Sequence, residues 1–198
     1  MSGQTKLSVS EERLEGITRG PLPASRKTYR TGTLHPGDIA DLLERRLGSG
    51  DPLASYPEHL RRPGLTPALR GYLNGSIDLV ARLPDGRFAV IDYKSNRLGA
   101  DPPTAFDYRP AALAVAMLRA HYPLQALLYL VALHRYLRWR LPGYDPGTHL
   151  AGAGYLFLRG MIGAETPADA DGRCGVFWWR PPDGLVPALS DLLAGGAA

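Results

Sequence analysis

The chain has 198 residues, 44% of them hydrophobic and 21% charged, with a formal net charge of +4 and a pI near 9.3. That is the size and apolar content of one globular domain, and its mild basicity tolerates a polyanionic partner without requiring one. A single cysteine, Cys174, excludes a disulfide framework and a four-cysteine zinc or iron-sulfur site built from this chain alone, and fits a reducing cytoplasm.

In chain order, residues 1–33 show no sustained periodicity and carry Gly16, Gly20, Pro21 and Pro23 as breakers; they read as a flexible or truncated leader. Pro36 to Leu47 places Ile39, Leu42, Leu43 and Leu47 at helical spacing, with Gly48 as a stop. A loop with Pro52, Pro57, Pro63 and Pro67 leads to a first long strand, Leu69 to Leu83, and a partner from Arg87 to Ser95. Two helices are expected next, Ala111 to Ala120 and the longer, mostly apolar Tyr122 to Trp139, which Pro142 terminates. Strands over Gly154 to Arg159 and Val176 to Arg180 and a closing helix over Leu185 to Leu193 complete an α/β sandwich around a mixed β-sheet. No basic region followed by an apolar run opens the chain, and its most apolar stretch, Leu124 to Leu133, is too short to span a bilayer. The expectation is a cytoplasmic protein without membrane contact.

The hairpin carries the chemistry. Pro84-Asp85-Gly86 suits a three-residue loop with glycine in the left-handed position, which pairs Leu83 with Arg87. Counting outward places Asp78 opposite Asp92 and Ser76 opposite Lys94, all four on one face. Directly opposed residues have Cβ atoms roughly 5 Å apart, where like charges destabilise. A divalent cation between them reverses that sign, and ligation by two carboxylates, a backbone carbonyl and waters suits Mg²⁺, with Mn²⁺ or Ca²⁺ as substitutes. Lys94 is one of only three lysines beside 20 arginines, and an ammonium at that place can orient a water and stabilise charge developing on a phosphate. On the bland alternative, the same residues lie on a solvated face with Lys94 as counter-ion. Gln125 and Tyr129 form an i, i+4 pair on the long helix; they can reach a phosphate, or they can bond ordinary core backbone.

The segments GSIDLV, VIDYKSNRLG, HYPLQALLYLVALHRYLRWRLPGYD and GYLFLRGM resemble the C-terminal nuclease domain of the RecBCD (exonuclease V, exodeoxyribonuclease V) beta subunit, a family within the PD-(D/E)XK nuclease superfamily. The resemblance runs from about Leu69 to the C-terminus and weakly back to Gly37. Beyond the leader read over 1–33, it implies a RecB-type nuclease domain over 34–198, with its core at 69–194 and a mixed sheet flanked by helices. It implies Mg²⁺-dependent hydrolysis of linear or single-stranded DNA in recombinational double-strand-break repair. By motif, Asp78 and Asp92 would be metal ligands with the Tyr93 carbonyl, Lys94 the catalytic lysine, and Gln125 and Tyr129 the DNA-positioning pair. Arg97, Arg70, Arg135, Arg138 and Arg140 are candidate contacts to the DNA backbone, a solvated basic face being their alternative. RecC-like and RecD-like subunits and the strand-exchange recombinase are the implied partners.

Two departures stand out. The family's site carries a metal-binding histidine on a helix well upstream, and His35 matches it only superficially, because Pro36-Gly37 breaks a helix there. No Gly-Lys pair exists in the chain, so it has no P-loop for ATP. The rival expectation is therefore a catalytically weak remnant that binds DNA or protein.

Overall fold

The structure, a computed structural model, describes residues 34–62 and 76–195. Helix α1 (Pro36–Arg46) starts where proline is best tolerated, in the first turn, and buries Ile39, Ala40, Leu42 and Leu43. A short helix α2 (Tyr56–Leu60) follows, then the hairpin of β1 (Leu79–Arg82) and β2 (Phe88–Lys94). Beyond a one-turn 3-10 helix at Ala105–Tyr108 come α3 (Pro110–Arg119), α4 (Tyr122–Arg140) and α5 (Pro146–His149). The chain then forms β3 (Leu150–Phe157), a two-residue hairpin β4 (Ala168–Asp169) and β5 (Gly172–Arg173), β6 (Val176–Trp179) and α6 (Leu185–Leu193).

The main sheet has the order β1-β2-β3-β6. β1 and β6 run antiparallel to their neighbours, whereas β2 and β3 are parallel, as expected for strands joined by a helical crossover. α4 lies across β2 and β3, with α6 and then α1 packed beyond it. Leu127, Leu130 and Leu137 of α4 are fully buried between these layers. His121, left-handed at φ 53°, ends the break between α3 and α4, which meet at 85°. Among the described residues no single helix is long and apolar enough to cross a membrane.

Three expectations need adjustment. The part of the first strand over 69–75 lies outside the described residues, and 76–78 are not in the ladder, which begins at Leu79. The strand expected at Gly154 to Arg159 begins four residues earlier and ends at Phe157, because Leu158–Gly160 coil into a 3-10 turn. Its start reads Leu-Ala-Gly-Ala, a poor strand signal, yet a glycine is required there. A Cβ on Gly152, which has φ 121°, would lie 2.3 Å from the Trp179 carbonyl oxygen. Finally, α2 and β4–β5 had no periodic signal long enough to announce them.

Candidate active site

The hairpin has the register that its loop dictates. Leu79 pairs with Ile91, Val80 with Val90, Ala81 with Ala89 and Arg82 with Phe88. The Gly86 amide donates to the Leu83 carbonyl at 2.9 Å, and Gly86 takes φ 86° to close the turn. The ladder stops one residue short of Asp78, whose exposed carboxylate turns to accept from the Tyr93 amide at 3.0 Å. In an extended strand a residue's N–H and C=O point to the same side, so the Tyr93 carbonyl is directed to the same sheet edge as Asp78. Cys174 is free and buried.

Asp92 is 4% exposed. Its Oδ2 lies 2.5 Å from Lys94 Nζ, the one donor group at that buried oxygen among the described residues. Burial raises the Asp92 carboxyl above its ordinary value and the charge on Asp78 adds to this, while Lys94 pulls the other way. A buried carboxylate oxygen with an incomplete shell attracts a cation.

Lys94 also donates to Gln125 Oε1 at 2.9 Å. An ammonium has no acceptor, so this bond fixes the amide: its Nε2 faces Tyr129 and donates to the phenol oxygen at 2.9 Å. Burial, reinforced by the negative charges of Asp92 and Asp78, holds the Tyr129 phenol above its usual value, so it stays protonated and its own O–H is directed elsewhere. The structure thus joins Asp92, Lys94, Gln125 and Tyr129 in one run of polar contacts, with the Asp78–Tyr93 hydrogen bond beside it on the hairpin.

The arginines are dispersed. Arg97 is exposed and pairs with Asp101, Arg135 ties α4 to α6 through Ser190 Oγ at 2.9 Å and its carbonyl at 2.6 Å, and Arg140 stacks on Trp139. Arg70 lies outside the described residues. His35 caps α1, its amide donating to Asp38 at 2.7 Å. No group of three His, Cys, Asp or Glu residues converges on a metal position among the described residues.

Sequence reasoning passed over three residues around Lys94. Its Nζ lies 3.9 Å from the Tyr122 ring centroid and 5.2 Å from that of Tyr155, and the Tyr122 hydroxyl donates to Asn96 Oδ1 at 3.0 Å. The available signal was positional: Tyr155 is the β3 partner of Asp92, and Tyr122 stands one helical turn before Gln125.

A family model described as the PD-(D/E)XK nuclease superfamily matches residues 14–173. The chain belongs to this superfamily. Within the superfamily, its sequence is that of a RecB-like nuclease domain. It is 51% identical over 177 residues to RecBCD enzyme subunit RecB of Mycobacterium tuberculosis (strain ATCC 25618 / H37Rv), covering 89% of this chain and 16% of that protein. It is 53% identical over 160 residues to RecB of Mycolicibacterium smegmatis, covering 79% and 15%. With RecB of Escherichia coli (strain K12) it shares 40% over 161 residues, covering 79% and 12%. The chain therefore spans less than a fifth of the length of these curated relatives.

Proposed function

We propose that this nuclease-superfamily chain hydrolyses phosphodiester bonds of DNA, single strands above all, with Mg²⁺ as cofactor. The observation that carries the reading is Asp92, a buried carboxylate with the Lys94 ammonium against its Oδ2 and a second carboxylate across the hairpin. These oxygens fit a hard divalent cation. Asp78, Asp92 and the Tyr93 carbonyl would hold it, Mn²⁺ or Ca²⁺ being able to replace Mg²⁺ in binding. The cation would supply positive charge to the phosphate and lower the pKa of a water.

The rest belongs to the chain's own side chains. The Lys94 ammonium offers charge to the pentacoordinate phosphate as it forms. Gln125 holds Lys94 and orients Tyr129, leaving the Tyr129 O–H to donate to a phosphate oxygen and fix the strand. Arg97 is proposed as a peripheral backbone contact, exchanging Asp101 for a phosphate. A role within a RecBCD-like assembly in double-strand-break repair, with RecC-like and RecD-like partners and the strand-exchange recombinase, is part of the same proposal and rests on the likeness to RecB.

The test is cleavage of end-labelled single-stranded DNA by the purified chain in Mg²⁺, beside Asp92→Asn, Lys94→Gln and an EDTA control. Each substitution is expected to lower kcat on the order of 10³-fold without loss of the folded state by circular dichroism. A folded wild type that binds DNA but never cuts it would overturn the catalytic assignment in favour of a binding module.

A further inference from the structure

Lysine carries a compact ammonium with three N–H donors on a flexible four-carbon stem, and two oxygens do not confine such a group. Around Lys94 those two oxygens are Asp92 Oδ2 at 2.5 Å and Gln125 Oε1 at 2.9 Å. The remaining side is aromatic. The Tyr122 ring lies 3.9 Å from Nζ, and the Tyr155 ring stacks behind it at 5.7 Å and 25°. A cation against a ring face is attracted by the ring quadrupole, most strongly where water is excluded, and only 11% of the Lys94 side chain is exposed.

This wall is itself held in place. The Tyr122 hydroxyl bonds Asn96, two residues beyond Lys94, and its backbone carbonyl lies 3.2 Å from the Tyr155 hydroxyl. That same hydroxyl lies 3.2 Å from Gln125 Oε1, so one phenol spaces both the start of α4 and the amide that receives Lys94. Burial raises the Tyr155 phenol far above its ordinary value, keeping it a donor.

We infer that Tyr122 and Tyr155 are positioning residues for Lys94: their rings close the third side of the ammonium and confine it to the arc between Asp92 and Gln125. The consequence for catalysis rests on the function proposed above; the seat itself does not.

The chain contains only Lys6, Lys27 and Lys94, so a ¹H–¹⁵N spectrum of lysine ammonium groups holds three signals, that of Lys94 assigned by its loss in Lys94→Gln. The Lys94 signal is expected at a ring-shifted upfield position, to move toward the other two in Tyr122→Leu, and to remain shifted in Tyr122→Phe. With single-stranded DNA in Mg²⁺, Tyr122→Leu should lower kcat roughly tenfold with KM held within twofold, and Tyr122→Phe should recover most of that loss. Should Tyr122→Leu not fold, Tyr155→Phe, which removes one hydroxyl, carries the kinetic test with an expected threefold fall in kcat. An unshifted Lys94 signal overturns the seat, and a shifted signal with unchanged kcat in the variants overturns its positioning role. A shifted signal in a wild type that binds but does not cut DNA confirms the seat and refutes the proposed activity instead.

Discussion

The two halves of β2 face the same helix layer with opposite chemistry. Phe88 and Val90 are buried apolar side chains; two and four residues further along the same face stand Asp92 and Lys94, hardly more exposed. The first half contributes by removing apolar surface from water, about 25 cal/mol per Å². The second half buries charge, which is unfavourable unless each group meets a partner. Partners converge there accordingly: Asp92 and Lys94 on each other, Gln125 and Tyr122 on α4 against Lys94, and Tyr155 on β3 behind them. Stability is thus concentrated at the start of the strand and chemistry at its end.

The sharpest way to break that division is Phe88→Ala. It should cost about 3–5 kcal/mol, read as a lower midpoint in urea unfolding. Cleavage per folded molecule should persist, in contrast with Asp92→Asn, which should retain the fold and lose cutting. Loss of activity beyond the unfolded fraction in Phe88→Ala would show that the two halves are one unit. A smaller effect belongs to the loop that sets their register. Gly86→Ala forces a Cβ into a left-handed residue with φ 86° and should cost about 1 kcal/mol, with DNA cleavage retained because ladder pairing from Leu79 to Ile91 outlasts the strained turn. A selective collapse of cleavage would mean that the loop alone holds Asp78 near Asp92.

What was legible in the sequence follows the same line. The loop Pro84-Asp85-Gly86 has few allowed conformations, so one assumption delivered the register of every pair in the hairpin. Helices α1, α3, α4 and α6 were readable within two residues at either end, since their apolar periodicity is sustained. The start of β3 was not, because Gly152 is there for backbone proximity to β6 rather than for propensity. Asp78 was placed opposite Asp92 by strand alternation, yet the ladder ends before it and its carboxylate bonds the Tyr93 amide. The aromatic side of Lys94 was hidden for another reason: Tyr122 and Tyr155 lie on different elements, and only the parallel β2–β3 register brings Tyr155 beside Asp92.

The smallest expected effect tests whether the far end of α4 obeys the same rule as β2. His134 is 4% exposed and its Nδ1 lies 2.9 Å from the Tyr144 hydroxyl. Among the described residues no carboxylate lies at hydrogen-bond distance to balance a charge on it, unlike Lys94. Burial depresses its pKa below the ordinary histidine value, the nearby Arg138 adding to the effect and Asp191 opposing it. The unfolded chain therefore takes up the proton more readily than the folded one, so this contribution is complete above about pH 6.5 and is lost as the pH falls through the depressed value. His59, also lowered mainly by burial, acts in the same direction. Thermal midpoints of wild type and His134→Gln at pH 7.5 and pH 5.5 should show a smaller acid-induced drop in the variant, His59 accounting for part of what remains. Equal drops in the two proteins would show that His134 charges without penalty, and that tolerance of a buried charge extends along α4 well beyond Gln125.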